Sequence, residues 1–206
     1  GGTLALLYAQ KHPDKVMALV IRGVFLARQQ DMDWFILAGA NRIYPEQWQR
    51  LLGCVPSQNR ADVVQSLWDG INSHDNKLQG QVAREWQAWN GQLAVGKAFQ
   101  RQNSDGPIAE ETIKQVRMEI HYALKRYFVE ENQILSNCQS LQHLPTTIIH
   151  GRFDLVCPME AALSLHTALP HADLIVLPNA GHISQHEEMI DALVSATDSF
   201  ADKLGQ

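Results

Sequence analysis

Thr146-Thr147-Ile148-Ile149-His150-Gly151-Arg152-Phe153-Asp154 reads as a buried β-strand that ends at a glycine and delivers a carboxylate to the loop beyond it. The run before the glycine is apolar or β-branched without alternation, the pattern of a strand covered on both faces of a parallel sheet. Downstream, residues 159–169 have a helical pattern closed by Pro170, and residues 173–178 form a second strand ending at Pro178. Residues 187–204 are a closing amphipathic helix. Strand, helix, strand, helix predicts parallel β-structure joined by crossovers. Upstream, Val16-Met17-Ala18-Leu19-Val20-Ile21 is another short apolar run, stopped at Arg22-Gly23 and preceded by a helix reaching to about His12.

Residues 29–144 have a different character. They hold all five Trp residues and many Gln and Arg, and their apolar positions recur at helical spacing. Residues 60–68 and 82–89 place apolar groups at i, i+3, i+4 and i+7. Residues 103–107, Asn-Ser-Asp-Gly-Pro, have loop chemistry, and a helix is expected over 108–122. The expected fold class is therefore α/β: a sheet domain from residues 1–28 and 145–206, interrupted by an all-helical insertion at 29–144 that reads as a lid or cap.

Composition narrows the function classes. The chain has 206 residues, 45% of them hydrophobic, enough for a sizeable core. A formal net charge of −5, with the 17 Lys and Arg residues scattered, argues against nucleic acid or an anionic membrane as partner. No apolar stretch approaches the ~18 residues of a membrane span. Cys54, Cys138 and Cys157 are far apart and odd in number, which points away from a disulfide framework and towards a reducing, cytoplasmic compartment. The histidines show no metal-ligand spacing, so neither metal nor cofactor is expected. The oligomeric state is not legible.

Two segments carry chemistry, each where a parallel strand meets a loop, the place where open α/β sheets build their sites. In the first, Asp154 follows Gly151; in the second, Asn179-Ala180-Gly181-His182, a glycine permits a bend before the imidazole. A lone Asp in such a loop is commonly a cap, and a lone His commonly a solvated residue. Together, in this order and separated by one helix and one strand, they suit an orienting acid and a general base. Asp then His, each after a late strand, is the order of the α/β-hydrolase triad, whose nucleophile comes first.

The remaining motifs resemble those of prolyl aminopeptidases (proline iminopeptidases), serine peptidases of the α/β-hydrolase fold. Gly1-Gly2-Thr3-Leu4-Ala5-Leu6 is similar to the G-G-T-L-A-L end of that family's G-G-S-W-G-G-T-L-A-L elbow, beyond its serine. On that resemblance the chain is expected to be a C-terminal fragment, inactive by itself, whose nucleophile and oxyanion donors lie upstream. Arg22-Gly23-Val24-Phe25-Leu26, Trp34-Phe35, residues 39–48, Met118-Glu119-Ile120-His121-Tyr122 and residues 150–158 resemble further family motifs. The resemblance implies release of N-terminal proline from small peptides. It implies Asp154 and His182 as catalytic residues, Glu119 as a carboxylate for the substrate's ammonium and Arg22 as support of that acidic pocket. It also implies Cys157, Phe25 and Phe35 as the slot for the proline ring.

One position departs from the family. The residue after Trp86-Gln87-Ala88-Trp89 is Asn90, where prolyl aminopeptidases usually carry a Glu. An amide still accepts a hydrogen bond from the ammonium but brings no charge. Asn90 is therefore expected to weaken amine recognition by on the order of 1–3 kcal/mol. Two alternatives stay open at this point: an esterase or amidase on the same scaffold, whose substrate lacks the ammonium, and a non-catalytic truncated product.

Overall fold

A computed structural model describes residues 1–101 and 106–204. Of the predicted loop at 103–107, residues 103–105 lie outside the described residues. The elements in chain order are α1 (Gly2–Lys11), β1 (Leu19–Arg22), α2 (Gln29–Ile36), α3 (Pro45–Leu52), α4 (Val63–Ile71), α5 (Asn76–Val95), α6 (Glu110–Leu124), α7 (Gln133–Ser136), β2 (Thr146–Gly151), α8 (Met159–Ala168), β3 (Asp173–Leu177) and α9 (Glu187–Leu204). They fall into two compact units, one made of residues 1–31 and 130–206, the other of residues 32–129.

The first unit is built on a parallel sheet of order β1-β2-β3. Leu19 pairs with Thr146 across β1 and β2, and Thr147 with Asp173 across β2 and β3. Every residue of the middle strand β2 is buried, which is why its sequence shows no alternation of apolar and exposed polar positions. The outer strand β3 alternates instead, with Asp173 and Ile175 exposed. Helix α9 lays Met189 and Ala196 on Ile149, Leu177 and Ala180. Helix α8 buries Ala161, Ala162 and Leu165.

Two boundaries differ from the sequence reading. β1 begins at Leu19 rather than Val16, because Pro13–Lys15 coil into a single tight turn whose last carbonyl-bound amide is Val16 N–H. Met17 is then left exposed, and pairing starts where Leu19 N–H reaches Pro145 O at 2.8 Å. Residues 29–31 and, at the other end, residues 130–144, all expected in the helical region, lie with the sheet; the latter are the larger difference. Their apolar residues Ile134, Cys138, Leu141 and Leu144 are buried there, and Gln10 Nε2–H on α1 donates to Ile134 O at 2.7 Å.

The second unit is helical. Trp89 is fully buried with its ring 5.3 Å from that of Trp48, and Leu51, Leu67, Ile71, Val82, Leu93, Val116 and Ile120 complete its core. Caps set the helix starts. Asp62 accepts from Gln65 N–H ahead of α4, and Asp75 from Lys77 and Leu78 N–H ahead of α5, satisfying amides that have no intrahelical partner. The segment 82–89 is thus the middle of a 20-residue helix.

In the sheet unit the chain turns into α2 through Ala27, held at φ 56°, a conformation that costs an L-residue about 1 kcal/mol or more. Arg28 fixes this turn. Its guanidinium, buried with Asp31, donates to Asp31 at 2.7 and 3.1 Å and to Glu160 on α8 at 2.7 and 3.2 Å. The Arg28 hydrogen bond holds the Glu160 carboxyl below the usual carboxylate range. Arg28→Met would strand the Asp31 carboxylate in the interior, and urea unfolding is expected to show a loss of about 3 kcal/mol or more. Arg28→Met combined with Asp31→Leu should recover part of that loss, whereas a single variant as stable as the parent would show that the clamp contributes nothing.

Candidate active site

The loops after β2 and β3 meet at backbone level. A Cβ placed on Gly151 would lie 2.5 Å from Ala180 O and collide with Gly181 O, so only glycine lets the two chains pass. Arg152 N–H donates to Leu177 O at 2.9 Å and Phe153 N–H to Ala180 O at 3.0 Å, extending the β2–β3 ladder into the loops. Asp154 N–H closes the turn onto Gly151 O at 3.2 Å. This turn brings Asp154 beside His182.

Asp154 is 3% exposed, and its two oxygens are fully engaged. Oδ1 accepts from Val156 N–H at 3.0 Å and from Cys157 N–H at 2.8 Å; Oδ2 accepts from His182 Nδ1–H at 2.8 Å. All three partners are N–H donors, so both oxygens act as acceptors. A carboxylate only accepts, so Nδ1 of His182 carries a proton and the lone pair of the neutral ring resides on Nε2. The His182 side chain is a quarter exposed.

The loop after β1 forms the third wall. Gly23, at φ +57°, faces the pair so closely that a Cβ there would stand 3.4 Å from His182 Cε1 and 3.6 Å from Asp154 Oδ2. Arg22, expected to support an acidic pocket, donates from Nη1 to the carbonyl oxygen of His182 itself. Phe25 is half-buried, and its carbonyl accepts from the Thr3 hydroxyl at 2.6 Å. Cys157 is buried directly after Asp154, where burial and then the Asp154 charge push its thiol up. Asp154, Cys157 and His182 place ligand-type atoms within 4.8 Å of one another. Because both Asp154 oxygens are already bonded and Cys157 is held as a neutral thiol, this group fits an acid–base pair beside a thiol better than a metal site.

In the helical unit three further sequence candidates converge on one residue that was not among them. Trp86 Nε1–H donates to Glu119 Oε2 at 2.8 Å, and Asn90 Nδ2–H donates to Trp86 O at 2.9 Å. The Phe35 ring meets Trp86 edge-on at 6.0 Å. Gln115 Nε2–H holds the other Glu119 oxygen at 2.9 Å. Glu119 is thus oriented by two neutral donors, with no cation among these partners. Trp86 stands in the W-x-x-W motif, but nothing in its spacing says that its indole N–H orients an acid. His150 is a second residue the sequence reading left unassigned.

Residues 1–189 match the family described as alpha/beta hydrolase fold. The chain belongs to the α/β-hydrolase family. In this fold the acid and the histidine follow late strands in the order seen for Asp154 and His182. Similar proteins include a probable proline iminopeptidase of Leptolyngbya boryana, 38% identical over 204 residues, which cover 97% of this chain and 63% of that protein. The proline iminopeptidase of Xylella fastidiosa is 37% identical over 97% of this chain and 64% of its own length. That of Arabidopsis thaliana is 36% identical over 100% of this chain and 54% of its own length. The chain therefore spans less than two thirds of the length of these relatives.

Burial also raises the other two thiols, Cys138 to about 11 and Cys54 to about 12. A thiol whose pKa rises on folding contributes stability that is complete below its unfolded value, near 9.0, and disappears as pH climbs towards the folded value. Urea midpoints of the parent should therefore fall, relative to a Cys54→Ala, Cys138→Ala variant, as pH rises from about 9 to 11. Parallel pH profiles for the two proteins would contradict this.

Proposed function

We propose that this chain carries the acid–base pair and substrate-reading residues of a serine exopeptidase that releases N-terminal proline from peptides. The observation that carries the reading is the 2.8 Å Asp154–His182 hydrogen bond, with its carboxylate buried and its imidazole a quarter exposed. Similarity to proline iminopeptidases over nearly all of the chain supports the substrate class. The sequence contains no G-x-S-x-G elbow, so the attacking hydroxyl must come from a serine other than one in such a motif of these 206 residues.

In the proposed reaction, His182 Nε2 takes the proton of that serine as its oxygen adds to the prolyl carbonyl. The imidazolium, stabilised by Asp154, then gives the proton to the departing peptide amine as the C–N bond breaks. Water, deprotonated by the same Nε2, hydrolyses the prolyl ester, and His182 returns the proton to the serine oxygen. The cycle balances with protein groups and water, without a cofactor. Glu119 is the proposed partner of the substrate's secondary ammonium, with Asn90 as a neutral second acceptor. Arg22 acts by fixing the His182 backbone. Cys157, Phe25 and Phe35 are the proposed apolar contacts of the proline ring.

One observation favours a second reading. Asn90 brings no charge, and its amide donates to its own helix, so a neutral acyl ester would lose less here than a charged amine. Three unpaired, buried cysteines support a cytoplasmic location, and no described helix is long and apolar enough to cross a membrane.

The test is hydrolysis of proline, alanine and neutral acyl substrates by an enzyme joining this chain to a serine elbow. Preference for the proline amide is expected; preference for the neutral ester would favour the second reading. The 206 residues alone should show no turnover sensitive to serine reagents. Asn90→Glu should lower KM for proline amides by about tenfold with little change in kcat, because the amine is charged equally in ground and transition states. Glu119→Gln should raise KM by at least as much. An unchanged KM in both variants would remove these residues from amine recognition.

A further inference from the structure

His150 is completely buried and takes no direct part in the acid–base pair. It occupies the penultimate position of β2, opposite Val176 of β3. Its Nδ1 lies 3.2 Å from the backbone nitrogen of Val24, a donor, so Nδ1 must be the acceptor and unprotonated. The proton of a neutral ring then sits on Nε2, which donates to Cys157 O at 2.8 Å. Both ring nitrogens are committed, and the tautomer is set by the partners. Asp154 Oδ2 stands 3.8 Å from the same Nε2.

The charged state is disfavoured. Burial pushes the His150 pKa down, and the charges of His182 and Arg22 push the same way; the Asp154 carboxylate and the Cys157 carbonyl oppose them without reversing the direction. A protonated ring would also point a second N–H at the Val24 amide.

Val24 belongs to the loop after β1 and Cys157 to the loop after β2, so His150 spans the two. Arg22 ties the first of these loops to the His182 carbonyl, and Asp154 ties the second to the His182 ring. Each pair of the three loops around the imidazole is thus joined by one side chain. We propose that His150 is a positioning residue, a neutral imidazole locked in its Nε2–H tautomer that sets the spacing of the Val24 and Cys157 loops and so holds Asp154 against His182. It acts through Asp154 and touches no reacting group.

This inference rests on the proposed function only in taking Asp154 and His182 as the working pair. Its readouts need no substrate, so an enzyme that failed to release proline would leave it standing, and its own failure would leave the peptidase reading intact. Two substitutions separate the ends of the brace. His150→Asn keeps an acceptor near the Nδ1 position and removes the donor to Cys157; His150→Gln keeps a donor near the Nε2 position and removes the acceptor for Val24.

Amide hydrogen exchange in the folded 206-residue chain is expected to cross over. His150→Asn should speed exchange of Val156 and Cys157 N–H, the two amides on Asp154, by about tenfold while sparing Val24, and should abolish the downfield proton signal of His182 Nδ1–H. His150→Gln should speed Val24 and spare the other two. A uniform rise at all three amides in both variants, or no change in either, would overturn the proposal. If neither variant folds, nitrogen chemical shifts of the parent decide: His150 neutral and protonated on Nε2 throughout the neutral pH range upholds the lock. A ring protonated on Nδ1, or cationic in that range, refutes it.

Discussion

The approach of two backbones at Gly151 is the constraint on which the candidate site depends. A side chain there would meet Ala180 O and Gly181 O, so the β2 and β3 loops could not be bonded through Phe153 N–H and Ala180 O. Asp154 and His182 are 28 residues apart in the chain, yet this approach brings their side chains to 2.8 Å. The glycine at the strand end is therefore as necessary to the pair as its two titratable groups. The second glycine of this geometry, Gly23, leaves the opposite side of the imidazole bare of side chain.

Electrostatics is governed by that placement. A carboxylate 3% exposed costs several kcal/mol unless its oxygens are bonded, and Asp154 is met by two amides and an imidazole N–H. The two amides belong to Val156 and Cys157, immediately downstream, so the loop that buries the charge also supplies donors for it. The same buried charge contributes to keeping the Cys157 thiol neutral. Burial and side-chain orientation share one network here: the bonds that make Asp154 tolerable inside the protein include the one that orients His182.

Much of this was legible in the sequence, for identifiable reasons. β2 and β3 were readable because their apolar runs stop at Gly151 and Pro178, and α9 because its apolar period persists from Glu187 to Leu204. β1 starts three residues later than its apolar run suggests, since Val16 and Met17 look like strand but sit in and beyond a tight turn. Residues 130–144 are helical in pattern, and no period reveals which unit buries their apolar face. Asp154 and His182 stood out through order and loop position. His150 and Trp86 did not, because their roles lie in where single N–H groups point: Trp86 at Glu119, His150 at Cys157. Such pairings span 33 and 7 residues with no motif of their own.

The central claim is that Asp154 fixes His182 with its proton on Nδ1 and its basic lone pair on Nε2. Nitrogen-detected magnetic resonance of the histidine side chains, followed across the range in which imidazole titrates, tests it directly. Nδ1 of His182 should remain protonated at every pH while Nε2 alone gains and loses a proton. A neutral His182 with its proton on Nε2 and a bare Nδ1 would contradict the account, because the Asp154 carboxylate would then face an acceptor in place of a donor.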